Sequence, residues 1–386
     1  PPFSKNELRN KRPRIAVTGG TGFLGTAIVR QLSAAGFEVS VVDRVLPHAS
    51  RRVAKVDYFV MDLTSGNLAE VINIFRGCDA VCHTAGVVCL ADDPGLLFNT
   101  HVVMTQRVIK ATRAAGVGCL VATSSSGAIT SPYVPSSAQQ NLPSSFRVPT
   151  GWKFFSHYSA TKYEAEQLVL QSSEHNGSAR ASVGPPGHRF RTCALRLPGL
   201  YGAGDRLVVD SLVSGDMFFV PGGAEGPVPI DFCYVENAAQ AHILAITALL
   251  SGEPNVAGRT FNVTDGESKD AMETFNNFLD TAAEVNGTGP AKHLFRMPYA
   301  ICFTLACLSE GLYWFLAGQV PFRRHPFWDF TRASLKLTTT SITLDISDTK
   351  QILGYKPKFS PATAFRHIAM QLKNAKNSAK QDAQIF

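Results

Sequence analysis

The chain begins a regular pattern of strands and helices at residue 14. A short apolar run, Arg14–Thr18, is followed by a glycine-rich turn and by a stretch with helical apolar spacing, Phe23–Ala35. Further apolar runs occur at Glu38–Asp43, Ala80–His83, Gly118–Thr123 and Arg191–Arg196, with helical stretches around Leu68–Phe75 and Val102–Ala115. Strands that alternate with helices predict an α/β fold, with a doubly wound parallel sheet covered by helices on both faces.

Two segments rich in Pro, Ser and Gly interrupt this pattern. They cover residues 131–150 and 172–188 and predict surface loops or insertions. The segment 298–320 is the most apolar part of the chain, but Glu310 lies near its middle. A carboxylate inside a bilayer is unfavourable by about 3 kcal/mol on insertion scales. We therefore expect either a helix that lies on a membrane or encloses a substrate, or a buried core helix.

Charge and cysteine content narrow the class of protein. The net charge is +7, and residues 1–14 and the tail from residue 373 together contribute six of these charges. The body is nearly neutral, so it lacks the basic stripe of a nucleic-acid-binding protein. The eight cysteines form no C-x-x-C pair and no zinc-like cluster with histidine, which predicts reduced thiols, no metal site and a cytosolic environment. The first residues contain no apolar signal segment.

The glycine turn predicts a dinucleotide site. Glycines at 19, 22 and 25 form G-x-x-G-x-x-G between a strand and a helix that opens with Phe23 and Leu24. Such glycines permit a tight turn, close approach of the backbone to a diphosphate, and tight packing of the helix on the strand. The helix N-terminus supplies free N–H groups for the phosphates. The predicted core is therefore of the Rossmann type.

Residues after the second and third strands suggest which dinucleotide binds. Asp43 ends the second strand and can accept hydrogen bonds from the ribose hydroxyls of NAD. Arg44 could instead hold the 2′-phosphate of NADP, but Asp43 would repel that phosphate, so NAD is preferred and NADP remains an alternative. Asp62 and Leu63 follow the third strand, where adenine would lie, although Asp62 is also suited to cap a helix.

A tyrosine and a lysine form the predicted chemical centre. Tyr158 and Lys162 are spaced i, i+4, so they share one face of a helix. A nearby ammonium stabilises a tyrosinate, which would let Tyr158 remove a proton from an alcohol while hydride leaves the same carbon. The serines at 124, 125 and 126 end a strand and could donate to the substrate oxygen. Spacing alone does not select one of the three.

These motifs, in this order, resemble the extended short-chain dehydrogenases/reductases. The apolar segment 298–320 is similar to the 3β-hydroxysteroid dehydrogenase branch, and the D-F-x-Y-V-x-N stretch at 231–237 most resembles the sterol-4α-carboxylate 3-dehydrogenase (decarboxylating) group. The resemblance implies Ser125 as the catalytic serine and a homodimer through the Tyr158 helix. The chain departs from the family at His101, where the family usually has Asn, and at Leu197, where it has Pro. Residues that the resemblance places beside the cofactor are Thr84, Ala85, Gly86 and Pro198.

The resemblance also implies a division of the chain. Residues 14–200 would form the NAD-binding core and residues 201–372 an interleaved substrate-binding α/β region, between a basic N-terminal tail (1–13) and a basic C-terminal tail (373–386). The expected activity is NAD-dependent oxidation of the 3β-hydroxyl of a sterol or steroid, with decarboxylation at C4. The expected location is the cytosolic face of the endoplasmic reticulum membrane, with the cytoplasm as the alternative. The rival hypotheses are a nucleotide-sugar epimerase or reductase, and a non-catalytic NAD-binding scaffold.

Overall fold

Seven parallel strands form the central sheet of this computed structural model, which describes residues 12–88, 93–174, 189–205, 208–222, 227–316 and 331–384. The strands are β1 (Arg14–Thr18), β2 (Glu38–Asp43), β3 (Val56–Val60), β4 (Ala80–His83), β5 (Cys119–Ser125), β6 (Arg191–Leu197) and β11 (Arg259–Asn262). Their order is β11-β6-β5-β4-β1-β2-β3, and all neighbours are parallel. Val17 of β1 pairs with Val41 on one side and Cys82 on the other.

Helices cover both faces of this sheet, because the inner strands are apolar on both sides. Ile15 and Val17 point to one core cluster and Ala16 to the other. The first cluster is covered by α1 (Phe23–Ala34), α7 (Val235–Ser251) and α12 (Pro361–Gln384). The second is covered by α2 (Leu68–Phe75), α4 (Met104–Ala114) and α5 (His157–Ser172). The predicted doubly wound α/β architecture is confirmed.

A smaller α/β region follows the core and is built from short strand pairs. Its strands are β7 (Gly199–Tyr201), β8 (Phe219–Pro221), β9 (Pro229–Ile230), β10 (Phe232–Tyr234), β12 (Lys269–Asp270) and β13 (Phe295–Met297). The pairs are β7 with β10, β8 with β13 and β9 with β12. Its remaining helices are α6 (Val209–Ser214), α8 (Ala271–Asn286), α9 (Tyr299–Leu316), α10 (Arg332–Thr338) and α11 (Ser347–Leu353).

The loop 131–150 is fixed to the C-terminal part of the chain. Asn262, which ends β11, donates from its side chain to the carbonyls of Leu142 (2.8 Å) and Asp345 (3.0 Å). Its backbone N–H donates to the Ser144 hydroxyl (3.1 Å), and Leu142 also forms a bridge with Leu344. This seam joins the loop, the sheet and the chain before α11.

Several predicted boundaries change in the structure. β5 extends two residues beyond the predicted Thr123, and the predicted helix 102–115 divides into a π-helix (Phe98–Val103) and α4, preceded by the short α3 (Pro94–Leu97). The basic segment predicted as a tail from residue 373 continues α12 to Gln384. Residues 1–11, 175–188, 317–320 and 385–386 of the predicted segments lie outside the described residues.

Candidate active site

The predicted cofactor and catalytic residues meet at the edge where the parallel strands end. Thr18 ends β1, His83 ends β4 and Ser125 ends β5. The chain after β4 stays bound to the end of β1, because the backbone N–H (3.2 Å) and the hydroxyl (3.0 Å) of Thr84 both donate to the Thr18 carbonyl. In open parallel sheets the crevice outside this edge is where ligands bind.

The glycine turn has no room for side chains at two of its three predicted positions. Gly19 has φ +72°, and a Cβ added there would lie 2.6 Å from the Cα of Ala85. A Cβ on Gly25 would lie 2.1 Å from the Gly19 carbonyl oxygen, so the first turn of α1 packs directly on the loop. Gly20, outside the predicted set, is also required, since its Cβ would lie 2.7 Å from the side chain of Val41.

Helix α1 begins without a side-chain cap. Its N-cap is Gly22, and its first turn contains no acidic residue. The first N–H groups therefore have no side-chain acceptor, and the positive end of the helix dipole is not compensated. A diphosphate fits this cradle. Leu24 is buried in the core, whereas the Phe23 ring faces Gly202, whose added Cβ would lie 3.1 Å from it.

Asp43 ends β2 and braces the glycine turn. One carboxylate oxygen accepts hydrogen bonds from the backbone N–H (3.0 Å) and the hydroxyl (2.7 Å) of Thr21. The other accepts from the backbone N–H of Arg44 (2.7 Å). A carboxylate accepts about four hydrogen bonds, so one position remains for a ribose hydroxyl.

The two residues after β3 at the predicted adenine position, Asp62 and Leu63, lie in different environments. The Asp62 carboxylate accepts from the N–H (2.8 Å) and hydroxyl (2.6 Å) of Thr64. These bonds, with a smaller contribution from Arg44, hold the pKa of Asp62 below its usual value. The helix cap considered for Asp62 belongs instead to Asn67 at the start of α2. Leu63 points into the core, so it offers a ligand only its backbone.

A hydrogen bond joins the predicted serine and tyrosine. The Ser125 hydroxyl at the end of β5 bonds the phenol of Tyr158, the second residue of α5. The Ser125 oxygen also accepts from the N–H of Gly127 (3.1 Å), which fixes its orientation. Ser124 instead donates to buried Glu166 (2.7 Å), because successive side chains of a strand point to opposite faces. The geometry thus selects Ser125 over Ser124.

The protein alone does not acidify the phenol, contrary to the sequence expectation. Burial raises the pKa of Tyr158, and the hydrogen bond from Ser125 opposes that rise. Lys162, one turn later, donates to the Thr123 carbonyl (3.4 Å), and burial lowers the pKa of Lys162 to about 8. Within the protein itself, burial is therefore the largest influence on the pKa of Tyr158.

The loop at residues 84–86 lies between the glycine turn and α5. Ala85 contacts Gly19, and a Cβ on Gly86 would lie 3.5 Å from the Lys162 Nζ. A ligand bound against this loop would therefore contact both the glycine turn and the Lys162 side chain. Pro198 lies partly exposed at the same edge, directly after the residue of β6 that pairs with Ser125.

A cavity of about 20 Å³ lies behind Lys162. This volume is sufficient for one water molecule. Burial, together with the charge of Lys162, lowers the pKa values of His83 and His101 to about 3, so the lysine faces two neutral rings. The polar side chains that line the cavity are His83, His101, Thr105, Thr123, Ser124, Lys162 and Glu166.

A buried ion pair that the sequence analysis missed anchors α5, the helix that carries Tyr158 and Lys162. Arg196 of β6 donates to Glu166 of α5 through Nε (2.9 Å to Oε2) and Nη2 (2.7 Å to Oε1), and both side chains are 1% exposed or less. Two signals could have revealed it. Glu166 follows Lys162 by four residues, as Lys162 follows Tyr158, so the three residues share one helix face. Arg196 is a charged residue near the end of an apolar strand, and a buried charge requires a partner.

Proteins of known family are similar in sequence to this chain over the residues that form this site. The sequence pattern of the 3-beta hydroxysteroid dehydrogenase/isomerase family matches residues 16–292. The mouse (Mus musculus) sterol-4-alpha-carboxylate 3-dehydrogenase, decarboxylating, is 27% identical over 352 residues, which are 90% of this chain and 88% of that protein. The 2-alkyl-3-oxoalkanoate reductase of Stenotrophomonas maltophilia (strain K279a) is 31% identical over 366 residues, which are 92% and 98% of the two chains.

Solved structures share the fold at lower identity. The UDP-glucose 4-epimerase of Thermus thermophilus, crystallised with NAD, aligns with a TM-score of 0.61 at 22% identity, over 94% of this chain and 99% of that chain. This likeness concerns the fold alone. The family match covers well over half of the chain and includes the glycine turn, Ser125, Tyr158 and Lys162. The chain therefore belongs to the 3-beta hydroxysteroid dehydrogenase/isomerase family, which places it among the oxidoreductases of the extended short-chain dehydrogenase/reductase type.

Proposed function

We propose that this protein oxidises, with NAD as acceptor, the 3β-hydroxyl of a sterol or steroid, and that its preferred substrate is a 4α-carboxysterol. The observation that carries the proposal is the Ser125–Tyr158 hydrogen bond beside Lys162. A scaffold protein would need the glycine cradle but not this arrangement. The constellation is suited to proton transfer from an alcohol oxygen.

Each residue of the site has a distinct task in this reaction. NAD, when bound, supplies the acceptor for the hydride that leaves the alcohol carbon. Tyr158 accepts the hydroxyl proton. The single Ser125 hydroxyl proton, which is donated to the phenol in this structure, would be donated to the substrate oxygen instead once the alcohol binds. Lys162 provides a positive charge one helical turn from the phenol, which favours the tyrosinate.

The cofactor proposal rests on the cradle and on Asp43. The uncapped start of α1 and the glycine turn fit a diphosphate. Asp43 keeps one acceptor position and a negative charge at the ribose end, which favours a free 2′-hydroxyl over a 2′-phosphate. Arg44 is exposed beside it, so weaker use of NADP is part of the proposal.

The names of the two relatives describe one chemical pattern. A sterol 4α-carboxylate and a 2-alkyl-3-oxoalkanoate both carry a carboxylate on the carbon next to the one that is oxidised or reduced. Oxidation of such an alcohol gives a β-keto acid. Its carboxylate is then lost as CO₂, because the electrons of the broken C–C bond move into the new carbonyl to form an enolate, which takes up a proton.

The second candidate function is reduction of a 2-alkyl-3-oxoalkanoate. It is favoured by the 31% identity to the bacterial reductase, of which the chain covers 98%. The apolar surface of α9, described below, favours the sterol. Nucleotide-sugar epimerisation is supported only by the shared fold.

A substrate screen with purified protein tests the function. Formation of NADH from NAD, or of NADPH from NADP, would be followed with a 4α-carboxy-3β-hydroxysterol, the same sterol without the carboxylate, a 2-alkyl-3-hydroxyalkanoate and UDP-glucose. We expect the highest kcat/KM with NAD and the 4α-carboxysterol, with one CO₂ released for each NADH. Equal rates on the sterol without the carboxylate would contradict the decarboxylating function. Turnover of the 2-alkyl-3-hydroxyalkanoate and of no other substrate would establish the second candidate function, reduction of a 2-alkyl-3-oxoalkanoate.

Among the described residues, no helix is both long enough and apolar enough to cross a bilayer.

Helix α9 nevertheless presents an apolar stripe to the surface. Ile301, Leu308, Leu312 and Phe315 are exposed and are spaced seven, four and three residues apart, so they share one helix face. A neighbouring face of the helix packs Cys302 and Ala306 on β8, β13 and α10. Beside α9, the exposed rings of Phe218 and Phe295 lie 6.3 Å apart, and each lies within about that distance of the partly buried Phe219 ring.

We propose that this apolar stripe lies against a lipid bilayer and lets a water-insoluble substrate enter the site. Exposed apolar surface of this extent is characteristic of interaction sites, and an amphipathic helix binds in the plane of a membrane. Glu310 does not oppose this orientation, because its carboxylate pairs with the guanidinium of Arg332 (2.6 Å) and accepts from the Arg332 N–H (2.7 Å). The pairing offsets the Glu310 charge that argued against a helix inside a bilayer.

Vesicle sedimentation tests the membrane contact. The variant Leu308→Gln/Phe315→Gln should bind vesicles of phosphatidylcholine and phosphatidylserine at least about tenfold more weakly than the unchanged protein, since each buried apolar side chain contributes about 1.5–3 kcal/mol. The control Val60→Gln/Met370→Gln replaces exposed apolar residues elsewhere and should bind normally. Equal binding by the two double variants, or no binding by the unchanged chain, would contradict the proposal.

A further inference from the structure

His101 is fixed at the catalytic centre by three contacts. Its Nδ1 lies 2.9 Å from the Thr161 hydroxyl on α5, and its Nε2 lies 2.9 Å from the Val87 carbonyl in the loop after β4. Its ring meets the Tyr158 ring edge to face, with centroids 5.3 Å apart and planes at 81°. One side chain thus touches the loop beside the glycine turn, the catalytic helix and the catalytic phenol.

The local backbone directs His101 inward. The residue lies in the π-helix Phe98–Val103, where Thr100, His101 and Val102 are buried in succession. A π-turn inserts one extra residue into a helix and frequently occurs at functional sites.

The hydrogen bonds define the tautomer of His101. A carbonyl can only accept, so Nε2 carries the proton that it donates to Val87. Nδ1 of the neutral ring then accepts, and the Thr161 hydroxyl donates to it rather than to the His157 carbonyl, which lies 2.8 Å away. Burial, the Lys162 charge and neighbouring His83 keep the pKa of His101 at about 3, so this arrangement holds at working pH.

We propose that His101 is a positioning residue that holds the Tyr158 ring in hydrogen-bonding contact with Ser125. If the His101 ring is removed, the Tyr158 ring loses its edge-to-face contact. Helix α5 also loses the hydrogen-bonded link that runs from Thr161 through His101 to the Val87 carbonyl in the loop after β4. The proposal rests on the proposed role of Tyr158 as the proton acceptor. It does not depend on the identity of the alcohol substrate.

Three variants separate the contacts of His101. His101→Asn places an acceptor near Nδ1 for Thr161, His101→Gln places a donor near Nε2 for Val87, and His101→Leu removes both bonds. Thr161→Val removes the matching hydroxyl from the other side. Gln106→Ala, at an exposed position on α4, controls for disturbance of the helix.

We expect His101→Leu to lower kcat by about 10- to 100-fold, the range that misplacement of a reacting group produces. The KM for the alcohol and the affinity for NAD should change little, and His101→Asn should retain more activity than His101→Leu. In kcat/KM profiles at saturating NAD, the acid limb should move to higher pH, because loss of the Ser125 bond removes the contact that lowers the Tyr158 pKa.

Fluorine NMR of protein labelled with 3-fluorotyrosine provides a test without substrate. The Tyr158 resonance is identified by its loss in Tyr158→Phe. It should be single and narrow in the unchanged protein and in Gln106→Ala, and shifted or broadened in His101→Leu. An unchanged resonance in His101→Leu would overturn the positioning role, whatever the substrate screen finds. A changed resonance with no activity on any alcohol would instead contradict the proposed function.

Discussion

Tyr158→Phe should lower kcat by about 10²–10⁴-fold, the contribution that a positioned general base makes to proton transfer. The phenyl ring keeps the contact with His101, but it has no oxygen to accept the alcohol proton or the Ser125 hydrogen bond. Steady-state kinetics on the best substrate of the screen measure the loss. NAD affinity, followed by calorimetry, should remain near that of the unchanged protein, because the cradle is built from the glycine turn and Asp43.

The matched control for this variant is Tyr163→Phe. Tyr163 lies on the same helix five residues later, where its ring packs 5.4 Å from that of Phe154, and loss of its hydroxyl should leave kcat unchanged. A Tyr158→Phe enzyme with full activity would show that another group accepts the proton. Loss of NAD affinity together with activity would instead indicate a disturbed fold.

Arg196→Met should destabilise the protein by about 3–5 kcal/mol, because it leaves the Glu166 carboxylate buried without its partner. The guanidinium makes two short hydrogen bonds to that carboxylate and one to the Ser144 carbonyl (3.2 Å). Urea unfolding followed by circular dichroism measures the change as a lower midpoint. The helix that carries Tyr158 and Lys162 would lose its ion pair with β6.

The double variant Arg196→Met/Glu166→Leu distinguishes an unpaired charge from a packing defect. Replacement of both members of a buried pair by apolar residues is often neutral or stabilising. We therefore expect the double variant to be more stable than Arg196→Met alone, although Ser124 also loses its acceptor. If the double variant were less stable than the single one, the ion pair would not be the cause of the loss.

The sequence predicted the parts of the fold that depend on local pattern. The strands Arg14–Thr18, Glu38–Asp43 and Ala80–His83 were predicted to the residue, because buried parallel strands are continuous apolar runs between polar turns. The glycine turn was predicted because left-handed backbone and close approach leave few alternatives to glycine at positions such as Gly19. The spacing of Tyr158 and Lys162 was sufficient to place them on one helix face.

Features that depend on distant contacts could not be predicted in this way. The acidity of Tyr158 is dominated by burial, which only the assembled fold sets. Ser125 was chosen through the resemblance, and its selection over Ser124 depends on which strand face meets α5. The π-helix at His101 has no spacing signal, since it differs from an α-helix by a single inserted residue.

The seam at Asn262 has a consequence for how a bulky molecule reaches the catalytic phenol. The amide of Asn262 ties together three stretches of chain that are far apart in sequence, residues 142–144, β11 and residue 345. A clamshell rotation of the C-terminal region away from the nucleotide-binding half would have to break all of these bonds at once. If the substrate is bulky, as proposed, we therefore expect the site to widen by local displacement of segments away from this seam and not by separation of the two halves.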